Sequence, residues 1–180
     1  AEKISDNADF RARIRRDIMR DGTISSQAKD KEETSVYENY YSFEESACRC
    51  AGHRILAINR GEKEKVLNVK INAPEDVIIN FLERQIIKNN NSFTEPYIKE
   101  AVSDSYKRLM QPAIEREIRN ELTLRAETGA IRVFGENLKQ LLMQPPVKGK
   151  VVLGWDPAFR TGCKLAVVDE NGKVLETVVI

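Results

Sequence analysis

Apolar residues recur at helical spacing from the start of the chain. Phe10, Ile14 and Ile18 fall at i, i+4 and i+8 and predict one buried helix face. Ser5 is placed to cap that helix, with Asp6 and Asp9 in its first turn, and Asp21-Gly22 to end it. Residues 25–35 are polar and predict a loop or weak helix. "VYENYYSF" spaces Tyr37, Tyr40, Tyr41 and Phe43 as a helical turn with its aromatics inward, and "HRILAINRGEKEKV" predicts a short helix ending near Gly61. "VLNVKIN" alternates apolar and polar, as a strand does. Asn72 and Glu75 resemble a capping box, with Pro74 in the first turn of a helix reaching about Lys88. "NNNS" then predicts a loop.

From Ile98 to Leu142 every fourth residue is apolar: Ile98, Val102, Tyr106, Met110, Ile114, Ile118, Leu122, Ala126, Ala130, Phe134, Leu138 and Leu142. A step of four overshoots an α-helical turn by ~40°. The stripe therefore winds around a straight helix and cannot meet a single flat core. Pro112, Gly129 and Gly135 disfavour an unbroken helix. The expectation is two or three consecutive helices that bend around a shared core or meet other domains. "QPPVKGK" reads as a linker and sets a domain boundary near Val147, giving domains 1–146 and 147–180. The final stretch reads strand, loop, strand, turn, strand, with a two-residue turn at Asn171-Gly172. Its apolar positions, Val151, Leu153, Leu165, Val167, Val178 and Ile180, predict self-association unless the helices cover them. The fold class expected is mainly α with a C-terminal β-meander.

Composition narrows the function. Hydrophobic residues make up 41% of the 180 positions, enough for a core, and charged residues 32%, with a formal net charge of +1. Bulk charge thus gives no sign of nucleic acid, and any basic footprint has to be local. No apolar run approaches the roughly 20 residues of a membrane span. Three cysteines and no signal-peptide pattern argue against a disulfide framework and predict a cytoplasmic protein. The first residues read like the interior of a longer chain.

Four groups of residues bear chemistry. Asp156 closes the first strand of the meander, the position from which a ribonuclease-H-like domain holds metal. Mg²⁺ takes several oxygen ligands, so Asp156 needs partners; otherwise it starts a turn. The loop 156–162, with Arg160 and Thr161, could cradle phosphate as in an actin-like phosphotransferase. Cys48, Cys50 and His53 are soft ligands within six residues, but one short of a structural zinc set and poorly spaced. Arg11, Arg15 and Arg16 on the first helix, and Arg54, Arg60, Lys63 and Lys65 around the second, are basic clusters that could meet phosphates or form solvated faces. No nucleophile elbow, Walker loop or Ser/His/Asp arrangement is present.

The stretches "SVYENYYSFEE", "HRILAINRGEKEKVL", "IEREIRNELTLRAE", "FGENLKQLLMQPPVKGK" and "VLGWDPAFRTGCKLAVVDENGKVL", in this order, resemble the Tex family of transcription accessory proteins. The resemblance covers essentially the whole chain. It implies a central helical scaffold to residue 146, followed by the first three strands of a YqgF, ribonuclease-H-like domain. It also implies RNA or DNA and the transcription machinery as partners, together with further domains of a full-length protein. No catalytic role comes with it, and Mg²⁺ enters only if a nuclease or resolvase reading using Asp156 holds. The family usually has glycine where this chain has Ala158, which opposes close backbone approach to a phosphate. "CRCAG" also departs from the family pattern and lends zinc no support.

Overall fold

The computed structural model describes every residue except Lys31, Glu33, Asn89, Asn90, Pro146, Phe159 and Thr161. It divides into two compact units, residues 1–133 and 134–180.

In the first unit a four-residue helix, α1 (Glu2–Ser5), precedes α2 (Ala8–Asp21). The cap of α2 is Asn7, whose side chain accepts from the N–H groups of Asp9 and Phe10, both at 3.0 Å. Ser5 does not cap it: its hydroxyl is turned back on the Glu2 carbonyl at 2.9 Å. The helix ends at Asp21, as its sequence predicts, and Ile14 and Ile18 are buried.

The stretch 25–35, expected to be a loop or weak helix, opens in β1 (Thr23–Ala28), the central strand of an antiparallel sheet ordered β2-β1-β3, while its other described residues form neither helix nor strand. The partners are β2 (Ser42–Ser46) and β3 (Leu67–Asn72), the predicted strand. Between β1 and β2 the predicted aromatic turn is one short 3₁₀ turn, Glu38–Tyr40, and Phe43 belongs to β2. Ile24, Leu67, Val69 and Ile71 face the core, together with Ser26, whose hydroxyl donates to the Tyr40 carbonyl at 2.7 Å. A buried hydroxyl satisfied this way fits a core position.

Helix α3 (Gly52–Lys63) ends two residues past Gly61, near the predicted end. Gly61 sits against the core, where a Cβ would lie 2.6 Å from Leu67 Cδ1. Helix α4 (Glu75–Ile86) has no side-chain cap. Asn72 does not reach back to it; its amide spans the sheet to Thr23, Ser25 and Glu44 at 3.2–3.4 Å.

The long apolar stripe lies on α5 (Glu95–Asp104), a π turn (Ser105–Met110) and α6 (Gln111–Leu142). Helical geometry does not break at Pro112, Gly129 or Gly135. The π turn explains Pro112. In this wider turn the Gln111 N–H bonds the Tyr106 carbonyl, five residues back, so the ring that follows finds room in the ladder. A step of four falls short of a full π turn, which offsets the overshoot of the α segments. Val102, Tyr106, Met110, Ile114, Ile118, Leu122 and Ala126 are all buried. Beyond Met110 the stripe winds, and the neighbours change with it. Glu115 accepts from the Ile71 N–H of β3 at 2.9 Å, Thr123 meets Asn59 of α3 at 2.8 Å, and Ala126 lies against Gly52. Several elements placed around one helix thus do what several bent helices were expected to do. The π turn also buries the Ser105 and Tyr106 hydroxyls, which find no partner among the described residues. Burial pushes the Tyr106 phenol up to about 12.

In the second unit a meander follows the helix end: β4 (Val152–Asp156), β5 (Lys164–Val168) and β6 (Val174–Val179), in that order and antiparallel. The hairpin at Asn171-Gly172 is present, but its loop is longer than two residues. Asp169 organises it, accepting from the Asn171 and Lys173 N–H groups at 2.9 Å, and Gly172 takes φ +83°. Val151, Leu153, Val178 and Ile180 are exposed, while Leu165 and Val167 are half-buried. The architecture is therefore a mainly helical scaffold, carrying its own small sheet, followed by a C-terminal three-stranded sheet.

Candidate nucleic-acid interface

The first basic cluster is mostly committed to the fold. Arg11 and Arg15, one turn apart on α2, face Glu117 and Glu121, one turn apart on α6. Arg11 lies 3.6 Å and Arg15 3.7 Å from Glu117, and Arg15 also pairs with Glu121. Arg13 binds Asp17 at 2.8 Å and lies 5.5 Å over the Phe81 ring, and Arg20 reaches Asp17 and Asp21. Arg16 is exposed and has no ion-pair partner among the described residues.

The second cluster divides the same way. Arg54 donates to Glu45 at 2.9 Å and lies 6.0 Å over the Phe43 ring. The Glu45 carboxyl is held below its usual range, chiefly by that hydrogen bond. Arg60, Lys63 and Lys65 are exposed at the C-terminal end of α3 with no ion pair among the described residues. This end of a helix attracts cations. Beside it, a groove of about 350 Å³ between α3 and α6 is lined by Asn59, Glu62, Arg116, Arg119 and Thr123. There Arg119 is already bonded to Glu62 and to Asn59. Exposed Arg116 at the rim, like Arg49 and Arg125 elsewhere, was not singled out from the sequence. Only knowledge of which carboxylates lie nearby separates a free cation from a committed one.

The remaining groups do not assemble. Asp156 is exposed, and directly across the ladder from it stands Lys164, a cation. One carboxylate facing an ammonium does not fit Mg²⁺, which takes several oxygen ligands. No three His, Cys, Asp or Glu among the described residues form a metal-holding group, and this includes Cys48, Cys50 and His53. Cys48 is exposed beside the Ser46 hydroxyl at 3.3 Å. Cys50 is buried, and burial, aided by Glu45, pushes its thiol up to about 12. Iodoacetamide at neutral pH is accordingly expected to alkylate Cys48 readily and to spare Cys50 until the chain is unfolded, as peptide mass mapping would read. Early labelling of Cys50 would contradict its burial.

Within the 156–162 loop, Arg160 is exposed, and Thr161 lies outside the described residues. Gly162 takes φ +78°, and a Cβ there would lie 2.4 Å from the Ile180 carbonyl oxygen. The adjacent Cys163 N–H donates to that same oxygen at 2.6 Å. The glycine serves strand pairing, and the amide after it is already taken.

Comparison with known proteins now bears on these residues. Residues 1–134 match the family described as Tex central region-like. The chain belongs to the Tex family. Residues 150–180 match the Tex protein YqgF-like domain, so the meander is the part of Tex that opens this domain. The chain is 56% identical over its whole length to the Bacillus subtilis protein YdcI. Over 87% of its length it is 37% identical to human S1 RNA-binding domain-containing protein 1. It is 31% identical over 99% to the transcriptional accessory protein Tex of Neisseria gonorrhoeae. It spans 26%, 16% and 25% of those three relatives. No helix among the described residues is long and apolar enough to cross a membrane.

Proposed function

We propose that this chain is the scaffold portion of a cytoplasmic, nucleic-acid-associated transcription accessory protein, with its domain break near Val147. In this reading it contacts the phosphate backbone of RNA or DNA through Arg16, Arg60, Lys63 and Lys65. Arg160 is a further contact from the second unit, and the chain carries no reaction of its own. Arg11, Arg15 and Arg54 act indirectly, by holding the helices that present the free cations. Other domains of a full-length protein and the transcription machinery are its protein partners. The observation that carries the reading is the group of exposed cations at the end of α3 with no ion pair among the described residues, in a chain of the Tex family.

The test is fluorescence anisotropy with labelled single-stranded and duplex oligonucleotides at several salt concentrations. The chain is expected to bind weakly, with affinity falling as salt rises, because few phosphates are contacted. The double variant Arg60→Ala, Lys63→Ala is expected to weaken binding evenly across sequences and to lower the salt slope by about 1–2. An unchanged slope would remove these residues from the interface. Binding that ignores salt would overturn the reading.

A further inference from the structure

The groove between α3 and α6 is built from hydrogen-bonding groups, and its two sides differ. One side is fixed. The Asn59 amide donates to the Thr123 hydroxyl at 2.8 Å, its carbonyl accepts from Arg119 at 3.4 Å, and the Thr123 hydroxyl donates to the Arg119 carbonyl at 2.8 Å. Arg119 is itself forked onto Glu62. The other side is free. Arg116 and Asn120 line the groove, are exposed, and have neither an ion pair nor a side-chain hydrogen bond among the described residues. With Thr123 they fall at i, i+4 and i+7 of α6, so one helix face carries all three.

The charges have a direction. Asn59 meets Thr123 and Glu62 meets Arg119, so α3 and α6 run antiparallel here. Lys63 stands one turn beyond Asn59 on the same face of α3, toward the end where Arg116 lies. The lining carboxylates are taken: Glu62 by Arg119, and Glu115 by the Ile71 N–H at 2.9 Å. Glu64 is bonded by the Tyr37 phenol. Glu127, exposed and without an ion pair among the described residues, follows Thr123 by one turn, at the opposite end and outside the lining.

This narrows the occupant. A divalent metal needs several free oxygen ligands, and both carboxylates in the lining are engaged. A protein footprint needs about 800 Å² on each side, whereas a groove of about 350 Å³ has the size of a small-ligand site. Its one apolar lining residue is Pro112. A flat ring with a hydrogen-bonding edge, carried on a phosphate chain, meets both the amides and the adjoining cations. An asparagine amide pairs a donor and an acceptor with the edge of adenine, and that edge is open in an unpaired strand.

We infer that the groove reads one unpaired base, adenine, through Asn120, while Arg116 and Lys63 hold the neighbouring phosphates. The inference rests on the nucleic-acid reading above and adds a sequence preference to it. The experiment uses the whole chain and fluorescein-labelled twelve-nucleotide oligo(A), oligo(U) and oligo(C), read by anisotropy at several salt concentrations. The parent is expected to bind oligo(A) about fivefold or more tighter than the other two. Asn120→Ala should cut that preference to about twofold or less, chiefly by weakening oligo(A). The salt slope should stay, since no charge is lost, and so should the melting temperature, since the residue is exposed. Arg116→Ala should instead weaken all three evenly and lower the slope by about 1.

No preference for oligo(A), or a preference that survives Asn120→Ala, overturns the base site. The broader reading then still stands if Arg60→Ala, Lys63→Ala lowers the salt slope for all three strands. Absence of any binding by the parent overturns both. An Asn120→Ala variant that weakens the three strands equally also overturns the base site, because the amide would then act on the backbone alone.

Discussion

Ile118→Ala is expected to lower the free energy of unfolding by about 2–5 kcal/mol, read from urea titration followed by circular dichroism. Ile118 is fully buried on the stripe that runs from Val102 to Ala126. Truncating it removes methyl groups from a site enclosed by helices and sheet, where little can collapse into the space. Leu138→Ala lies on the same every-fourth pattern, twenty residues on, yet Leu138 is 41% exposed. Its expected effect stays within about 0.5 kcal/mol. The pair separates two ideas that the sequence pattern merges: an apolar stripe, and the part of that stripe that carries the fold. Similar losses at both positions would mean that the burial boundary near Ala126 is wrong.

The second large effect is expected from Gly22→Ala, at the junction of α2 and β1. A Cβ at this position would lie 2.4 Å from the Ile18 carbonyl oxygen and 3.1 Å from that of Asn72. Both are backbone atoms, held by α2 and β3, and neither can swing aside as a side chain would. Overpacking of this kind costs about 1–3 kcal/mol, and immovable neighbours place it at the upper end. A melting temperature within a degree of the parent would show that the junction can open. The backbone at Gly22 is extended, with φ −76° and ψ 158°, so the constraint is one of space and not of dihedral.

These two sites show what was legible in the sequence. Gly22 read correctly as the end of a helix, but local composition did not reveal that the chain turns there straight into a central strand. In "TISSQA" the inward positions are Ile24, Ser26 and Ala28. Only one is large and apolar, so the period-two signal is absent. The strand exists because β2 and β3 pair with it on both sides, and because Tyr40 satisfies the buried Ser26 hydroxyl. That is tertiary context overriding propensity. In "VLNVKIN" the alternation is complete, and the strand was legible. The stripe from Ile98 was legible too; a π turn that tolerates Pro112 was not, since proline reads locally as a break.

The candidate interface divides along the same line. The basic residues are visible in any count of charges, but their partners are not. Arg54 finds Glu45 nine residues away, while Arg15 finds Glu121 across 106 residues. The family resemblance located the scaffold and the meander, and geometry then sorted the cations into committed and free. Exposure is likewise not written in residue type: Phe93 and Tyr97 are exposed, whereas Tyr106 is fully buried.

The pairing of α2 with α6 has a consequence for synthesis. Helix α2 leaves the ribosome well before α6, and Arg11 and Arg15 must wait for Glu117 and Glu121, more than a hundred residues later. At about 5–20 residues per second that interval is several seconds, far longer than a helix takes to form. During it Ile14 and Ile18 have no α6 to complete the core around them. The first unit can close only when its last helix has emerged, which makes nascent chains that stop short of the end of this unit the form most in need of a chaperone.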